Sequence, residues 1–287
     1  MGKDAEELLS ATEVRVLKPF RAGFPNLSLY FKDVWARREF MFELSRVNRE
    51  NEHLDTFFGK LWSIISPLLS AAVYYMFIFV IQGAHQGPER FLHLMLGIFI
   101  FEFLSTAASR GANSILGASS LINNTQFPRI LLPLTQVLTS WRIFIPSLGV
   151  YAVFHAVLQQ PITIYSLQAI PALLLILIFS TGLAMFAATA QVYFRDTAAL
   201  MPFILRLVMF ASPVLYFPEQ AKALLGGTLI AAVNPIFCMV EIFSGSIVRG
   251  QTFDLLTWSI ATIWALVTFV GGFAFLVTRE GEFAARL

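Results

Sequence analysis

Apolar and polar positions divide the sequence into a charged arm, residues 1–60, and a long region of apolar stretches. Six such stretches follow the arm, at residues 61–82, 91–110, 130–158, 164–193, 198–217 and 255–278. Most are close to the roughly 20 residues with which a helix crosses a bilayer. The pattern predicts an all-α integral membrane protein: six transmembrane helices in a domain over residues 61–278, and a tail over 279–287.

Composition supports a membrane protein over a soluble one. Hydrophobic residues make up 57% of the chain and charged residues 13%. A soluble core of this size could not bury so much apolar surface without leaving large patches exposed to water. The bilayer is therefore the expected surrounding of residues 61–278.

The distribution of Lys and Arg predicts the orientation of the spans. Ten of the 20 lie in the arm, and basic residues are enriched in cytoplasmic segments. Six crossings would return the C-terminus to the same side, where five more basic residues fall, against three outside. We expect both termini in the cytoplasm, and the first span to be an uncleaved anchor because it follows a long charged segment.

The arm contains an amphipathic pattern at residues 27–48. Its apolar positions recur at approximate helical spacing, with charged residues between them: Leu27, Tyr30, Phe31, Val34, Met41 and Leu44. This pattern favours a helix lying along the membrane surface, with Tyr30, Phe31, Val34 and Arg38 as its candidate residues. The alternative is a soluble cap packed on itself.

Two breaks between spans are longer than simple turns. The cytoplasmic break, residues 111–129, has small and polar residues around Leu121 and Ile122 and ends at Pro128. It suits a short surface helix, with an ordinary loop as the alternative. The outer break, residues 218–250, holds two apolar runs, 221–233 and 235–248, each too short to cross. We predict two short re-entrant helices, with a spanning helical pair as the alternative.

Three groups of short motifs recur in order along these elements. The first stretch contains Phe58-Gly59, Leu61-Trp62 and Pro67-Leu68-Leu69, and the cytoplasmic break contains Leu121-Ile122, Phe127-Pro128-Arg129 and Leu132-Pro133. Later come Phe194-Arg195-Asp196, Ser212-Pro213-Val214, Asn234-Pro235 and Gly250. In this order they resemble the permease subunit of ABC transporters that export lipid-linked polysaccharides such as O-antigen, teichoic acid and galactan. The chain is similar in particular to the galactan exporter of actinobacteria.

The resemblance implies a multi-pass protein of a bacterial inner or plasma membrane that works as a homodimer. Each copy would bind a cytoplasmic ABC ATPase, which holds ATP and Mg, and the lipid-linked polysaccharide would pass between the two copies, among membrane lipids. In this family the cytoplasmic break forms the helix that couples to the ATPase, here Ser120, Leu121, Ile122, Asn123, Asn124, Thr125, Gln126 and Phe127. The arm helix would rest beside it.

Further residues follow from the same resemblance and from the chemistry of sugars. Arg195 and Asp196 could gate the entry, and Asn234, Pro235 and Glu241 belong to the re-entrant exit. Because sugar rings present C–H faces that lie well on aromatic planes, an aromatic lining would hold a glycan by many weak contacts. The candidates for the channel are Tyr74, Phe77, Phe99, Phe103, Phe210 and Arg206. Plain packing is the alternative for each aromatic residue.

Charges inside spans need a partner or a wet cavity. Glu102 and Arg142 could form a structural pair, whereas Arg206 could instead meet a pyrophosphate or a sugar hydroxyl. No cofactor is expected in this chain, because it has no Gly-x-x-x-x-Gly-Lys-Ser/Thr loop. Four dispersed histidines and a single cysteine argue against a metal site. Nucleic acid is not an expected partner.

Three other functions stay open from the sequence. An efflux permease for a drug-like or lipid molecule would share the same superfamily. A membrane enzyme acting on polyprenyl phosphates would need clustered acids or a histidine nucleophile, and no Asp-x-Asp occurs here. A scaffold for envelope assembly would give no reason for paired re-entrant helices.

Overall fold

The structure, a computed structural model, describes residues 26–51, 57–82, 87–220 and 232–287. Every regular element in these residues is a helix. In chain order they are α1 Leu27–Ala36, α2 Arg38–Asn51, α3 Trp62–Gln82, α4 Pro88–Asn113, α5 Ser119–Asn124, α6 Leu131–Val157, α7 Ala169–Tyr193, α8 Thr197–Ala211, α9 Phe237–Val248, α10 Leu255–Arg279 and α11 Phe283–Arg286. Short 3₁₀ helices of three to five residues precede α3, α5, α7 and α11.

Within the described residues, four helical segments are long and apolar enough to cross a membrane: Pro88–Asn113, Leu131–Val157, Ile164–Tyr193 and Leu255–Arg286. They contain α4, α6, α7 and α10. The predicted fold class, an all-α membrane protein, is therefore confirmed. Helix α3 has 21 residues and is about 31 Å long at 1.5 Å per residue. The count of six spans stays a prediction.

The predicted fifth span, residues 198–217, is shorter as a helix than expected. Helix α8 has 15 residues and ends at Ala211, and Ser212 is extended with φ −97° and ψ 154°. Pro213 explains this end, because the ring of a proline disfavours helical geometry in the residue before it. At about 22 Å, α8 alone falls short of the hydrocarbon thickness.

Helix α4 lies at the centre of the bundle and packs against α3, α6, α7, α8 and α9. The most extensive helix contact joins α7 and α10, at Gly182 and Gly272. A Cβ atom on Gly272 would lie 2.1 Å from the carbonyl oxygen of Gly182, whereas one on Gly271 would meet nothing within 4 Å. Small residues at this crossing let the two backbones touch.

Helix α8 is held by one stripe of buried side chains four residues apart, Met201, Leu205 and Met209. Ala198 and Val208 are half-buried against the core, and the large apolar residues on the remaining faces are exposed: Leu200, Phe203, Ile204, Leu207 and Phe210. Helix α3, which also packs on α4, exposes apolar residues as well: Leu69, Val73, Met76, Phe79 and Val80. We call α3 and α8 the open side of the bundle, and α7 and α10 the closed side.

The arm predicted as one helix over residues 27–48 is two helices. The break is at Arg37, where φ is −101° and ψ is 14°, because each helix follows a different part of the bundle. Phe31 of α1 stacks on Phe273 of α10 with ring centroids 5.5 Å apart. In α2, the buried Ser45 hydroxyl accepts a hydrogen bond from Thr139 of α6 at 3.2 Å. The described helices of the arm, α1 and α2, therefore pack on the bundle.

Of the two short outer helices, the described residues contain one. Most of the run 221–233 lies outside them, whereas the run 235–248 contains α9, whose residues are buried apart from Ile247. Asn234 fixes the entry to α9: its amide donates to the carbonyl of Ala211 at 2.8 Å and its oxygen accepts from the N–H of Ile236 at 3.0 Å. Re-entry into the membrane stays a prediction.

Candidate coupling surface and polar cavities

The cytoplasmic break contains the predicted short helix, α5. Ile122 and Phe127 are buried, which anchors the segment, and Leu121 is half-buried. Ser120, Asn124, Thr125 and Gln126 are exposed, and the side chain of Asn123 lies outside the described residues. The segment thus has an apolar inner face and a polar outer face.

Ile122 and Phe127 join a second hydrophobic cluster, separate from the central core of the bundle. It brings together residues of the arm, the α5 segment, α6, α7, α10 and the tail: Tyr30, Ile115, Ile122, Phe127, Ile130, Leu131, Leu132, Met185, Ala188, Val192, Leu276, Val277 and Phe283. The arm and the α5 segment, which are predicted to lie beside the ATPase, therefore pack in one hydrophobic cluster.

A buried carboxylate ties three of these elements together. Glu280 is fully buried; it accepts a hydrogen bond from the Tyr30 hydroxyl at 2.8 Å and one from the backbone N–H of Arg129 at 2.6 Å. The Arg129 guanidinium lies 3.9 Å from the same carboxylate. Burial, and then the charge of Glu280, raise the pKa of Tyr30. We call Tyr30, Arg129 and Glu280 the clasp.

The tail, residues 279–287, joins the second hydrophobic cluster and is not a free end. Phe283 is fully buried, and α11 contacts α5 and α7. The Tyr193 hydroxyl donates to Glu282 at 2.6 Å, and the Arg286 guanidinium lies over the Tyr193 ring at 4.3 Å. Sequence analysis missed these residues, because two acids beyond a span read as ordinary solvated charges.

A cleft of about 550 Å³ opens beside α5 between α2, α4 and α6. It is lined by Leu44, Asn48, Ser109, Arg110, Asn113, Ser114, Gly117, Ala118, Ser120, Leu121, Leu132 and Gln136. Polar side chains from both the arm and the bundle thus face the same cleft, at the end of the bundle where the sequence predicts the cytoplasm.

Two further cavities lie along α4. One of about 260 Å³, between α3, α4 and α6, is lined by Trp62, Ser66, Pro67, Phe99, Glu102, Phe103, Thr106, Arg110, Ser140, Ile143, Phe144 and Ser147. The other, of about 350 Å³, between α3, α4 and α8, is lined by Ser70, Ile98, Phe101, Glu102, Ser105, Thr106, Pro202, Arg206 and Met209. Glu102 and Thr106 line both, and Arg110 also lines the cytoplasmic cleft.

The channel candidates fall into three groups. Phe99 and Phe103 line the smaller cavity and are almost fully buried, and Arg206 lines the larger one. Phe210 is exposed on α8. Tyr74 and Phe77 are in α3, but their side chains lie outside the described residues. A transport role for any of them stays a prediction.

The predicted ion pair between Glu102 and Arg142 is wrong. The carboxylate of Glu102 instead accepts a long hydrogen bond, 3.4 Å, from the hydroxyl of Ser66 on α3. Within the part of the chain that the structure describes, its second oxygen, Oε2, is buried without a hydrogen-bond partner. Glu102 turns toward the cavities, which the sequence alone could not indicate.

Arg195 and Asp196 form the exposed turn between α7 and α8. Gln191 braces this turn: its amide donates to the carbonyl of Arg195 at 2.8 Å, and its oxygen accepts from the N–H of Ala198 at 2.6 Å. At the outer end, Glu241 is buried in α9. The gate and exit roles of these residues stay predictions, and no group of three potential metal ligands occurs among the described residues.

Comparison with known proteins supports the resemblance seen in the motifs. No protein-family model matches the chain. An O-antigen export system permease protein, RfbA, of Klebsiella pneumoniae is 28% identical over 219 residues, 74% of this chain and 83% of that protein. A second RfbA protein of that organism is 27% identical over 183 residues, which are 63% of this chain and 70% of that protein.

A Myxococcus xanthus protein of the same name is 24% identical over 241 residues, 82% of this chain and 92% of that protein. The similarity covers most of the chain in each case. The predicted resemblance to ABC permeases of polysaccharide export is thus confirmed, and the narrower similarity to the galactan exporter stays a prediction.

Proposed function

We propose that this chain is the membrane-spanning permease subunit of an ATP-driven exporter that moves a lipid-linked polysaccharide out of the cytoplasm. The observation that carries the proposal is the similarity, over most of its length, to permeases of O-antigen export. Helices long and apolar enough to span a bilayer agree with it. The chain acts as a transport subunit, and hydrolysis of ATP belongs to a separate protein.

The ATPase docks on the α5 segment. Its exposed polar face, with Ser120, Asn124 and Gln126, is available to a cytoplasmic partner, while Ile122 and Phe127 hold the segment on the bundle. A push on α5 reaches the arm and α10 through the second hydrophobic cluster and the clasp. This arrangement transmits force because packed, hydrogen-bonded elements move together.

Two copies of the chain form the channel with their open sides. Exposed apolar residues on α3 and α8 could face lipid, but Arg206 is exposed on the same helix as Leu207 and Phe210. A guanidinium at membrane depth is costly against lipid and belongs in a wet path or beside a partner. A second copy opposite α8 would give such a path between the two chains.

Co-purification from native membranes in mild detergent tests this function. We expect a nucleotide-hydrolysing subunit to accompany the chain, and added lipid-linked glycan to stimulate hydrolysis. Repeated purification without an ATPase would contradict the proposal, and stimulation by small amphiphiles instead of glycan would favour a drug or lipid efflux permease.

The docking face has its own test. Ser120→Trp adds bulk to the exposed face of α5, so it should reduce recovery of the ATPase while the permease remains folded. Ser28→Trp, on an exposed position of α1, is the matched control and should leave recovery unchanged. Equal recovery with both variants would argue against docking on α5.

A further inference from the structure

Two guanidinium groups share one aromatic ring at the end of the bundle opposite the clasp. The guanidinium carbon of Arg90, in the first turn of α4, lies 5.4 Å from the centroid of the Phe217 ring. That of Arg249, directly after α9, lies 5.1 Å from the same centroid. His93 fixes the segment before the ring, because its Nε2 donates to the carbonyl of Tyr216 at 3.1 Å. Two positive charges are thus brought together around a ring that neutralises neither.

Of these two arginines, Arg249 alone has an acidic partner among the described residues: its Nη1 lies 2.6 Å from Glu219. Arg90 forms no ion pair there, although only 8% of its surface is exposed, and its Nε and Nη2 are enclosed without a hydrogen-bond partner. Its Nη1 has no partner there either but is not enclosed, so a ligand can reach it. A guanidinium stays charged in proteins, and a buried charge is costly unless it is paired.

No other acid of this end compensates Arg90. The buried acid of α9, Glu241, forms an ion pair with neither arginine among the described residues, and Glu89 is exposed. Residues 83–86 and 221–231, outside the described residues and on the predicted outer side, contain no Asp or Glu in the sequence. The missing negative charge must therefore come from another molecule.

The opposite end of the bundle contains the completed version of this arrangement. The guanidinium groups of Arg279 and Arg286 lie over the ring of Tyr193, at 5.7 and 4.3 Å from its centroid. There one carboxylate serves both: Glu282 accepts from Arg279 at 3.0 Å and from Arg286 at 3.3 Å. The comparison identifies what the other end lacks, which is an oxyanion in contact with Arg90.

The position of Arg90 along the bundle selects the kind of oxyanion. Helix α4 has 26 residues and is about 39 Å long, whereas the hydrocarbon core of a bilayer is roughly 30 Å thick. Its first turn therefore reaches the depth of the lipid headgroups, where the phosphate groups of lipids are the concentrated anions. The planar fork of a guanidinium binds phosphate oxygens through two parallel hydrogen bonds.

We propose that Arg90 and Arg249, held around the Phe217 ring, bind the phosphate group of a membrane lipid at the outer surface of the bilayer. Arg90 supplies the donors that have no partner, and Arg249 shares its charge between the lipid and Glu219. An anionic phospholipid and a polyprenyl phosphate present the same chemistry to this site. The bound phosphate joins α4, α9 and the segment after α8 at one point. The site does not depend on what the chain exports.

Binding of defined lipids to the purified full chain, measured by native mass spectrometry, tests the site. Phosphatidylglycerol should bind more tightly than diacylglycerol, which has the same acyl chains and no phosphate. Arg90→Gln should weaken binding of phosphatidylglycerol about tenfold, because it removes charge-assisted hydrogen bonds, and should leave diacylglycerol unaffected. Equal binding of phosphatidylglycerol by wild type and variant would overturn the site, and so would equal binding of the two lipids by the wild type.

The matched control is Arg279→Gln, which removes the same charge from the pair that Glu282 already completes. This variant should bind phosphatidylglycerol like the wild type. A loss as large as that in Arg90→Gln would show that lipid binding follows the net charge of the chain, which contradicts a specific site.

A variant with the opposite expected sign separates binding from a structural role of Arg90. Glu219 is 58% exposed, so Glu219→Gln should fold, and it releases Arg249 from its carboxylate. Phosphatidylglycerol should then bind several-fold more tightly, which no loss of structure would produce. This result decides the question even if Arg90→Gln does not fold, because an unchanged or weaker affinity in Glu219→Gln would count against the site.

Competition distinguishes the two lipid sources. Bound phosphatidylglycerol that an equal concentration of polyprenyl phosphate displaces assigns the site to the polyprenyl lipid, and phosphatidylglycerol that stays bound assigns it to the phospholipid; both support a site for lipid phosphate. Displacement by inorganic phosphate at the same concentration would show that the lipid part contributes nothing and would overturn the proposal. A failure of glycan to stimulate ATP hydrolysis would contradict the export function and leave this site intact.

Discussion

On the closed side of the bundle, α7 and α10 approach until glycine backbones touch, and the clasp holds the C-terminal end of α10 on the arm and on Arg129. On the open side, α8 packs on α4 and buries one stripe of three residues, and a cavity of about 350 Å³ lies beside this contact, lined also by Ser70 of α3. Helices α7 and α10 nevertheless expose apolar residues of their own, among them Phe186, Leu266 and Val267. The two sides therefore differ in how closely their helices pack, and not in whether they expose apolar surface.

Glu280 and Glu102 differ in how completely their carboxylates are hydrogen-bonded. Glu280 has both carboxylate oxygens hydrogen-bonded and an arginine beside it, although it is fully buried. Glu102 has one long hydrogen bond and one buried oxygen that no described residue contacts by a hydrogen bond. Removing Glu280 would therefore leave two donors without an acceptor, whereas removing the charge of Glu102 would affect one long hydrogen bond.

Replacing Gly272 with valine should have the largest effect. Its side chain would enter the backbone of α7, since even a Cβ would lie 2.1 Å from the Gly182 carbonyl oxygen. Overpacking by methyl groups costs about 1–3 kcal/mol, and a clash with backbone should exceed it. Thermal unfolding of the purified protein in detergent, followed by size-exclusion chromatography, measures the loss.

Gly271→Val is the control for this change, because the neighbouring position opens to space and lies on the same helix. If the two variants unfold at the same temperature, α7 and α10 do not pack as closely as described, and the contrast between the two sides weakens.

Replacing Glu280 with alanine should come next. The Tyr30 hydroxyl and the Arg129 N–H would lose their acceptor while still buried, and each unsatisfied group costs about 1–3 kcal/mol. We expect a clear drop in the unfolding temperature and faster proteolysis of the arm. Glu39→Ala, at a side chain that is 88% exposed, should change neither quantity. A similar drop in the unfolding temperature of both variants would show that the clasp does not stabilise the protein.

Much of the closed side could be predicted from sequence, and little of the clasp could. Long apolar stretches fix α4, α6, α7 and α10, because length and hydropathy are properties of the residues themselves. The Glu280 contacts join residues as far apart as 250 positions, and no local pattern encodes them. The break of the arm at Arg37 depends on other long-range contacts, since α1 packs on α10 through Phe31 and α2 packs on α6 through Ser45.

On the open side, the sequence shows which residues are charged but not which residues they contact. Glu102, Arg142 and Arg206 are visible in the sequence as charges within apolar stretches, but their partners depend on how the helices rotate. The structure separates Glu102 from Arg142 and turns it toward Ser66. Likewise, Phe99 and Phe103 could be named as a pair on one helix face, whereas the cavity beside them needed the neighbouring helices.

Changing the exposed face of α8 should leave the fold almost unchanged and affect assembly. Leu207 is 71% exposed, so Leu207→Gln should change the stability of the single chain by less than about 0.5 kcal/mol. If a second copy covers α8, the variant should shift the protein from dimer to monomer in native mass spectrometry. Leu205→Ala, in the buried stripe, should instead destabilise by about 2–5 kcal/mol. A dimer that tolerates Leu207→Gln would move the contact between copies to another face.

Glu102→Gln should have the smallest effect on stability, and its sign is the informative part. An ionised carboxylate with one unpartnered oxygen is destabilising when removed from water, so the neutral amide should leave the unfolding temperature unchanged or slightly raised in the absence of glycan. The same substitution at Glu280 leaves its two donors facing an amide with only one acceptor oxygen, and should lower that temperature. Measuring both variants side by side tests the contrast directly, because a drop at position 102 as large as that at position 280 would mean that Glu102 is held by the fold and is not available to a ligand.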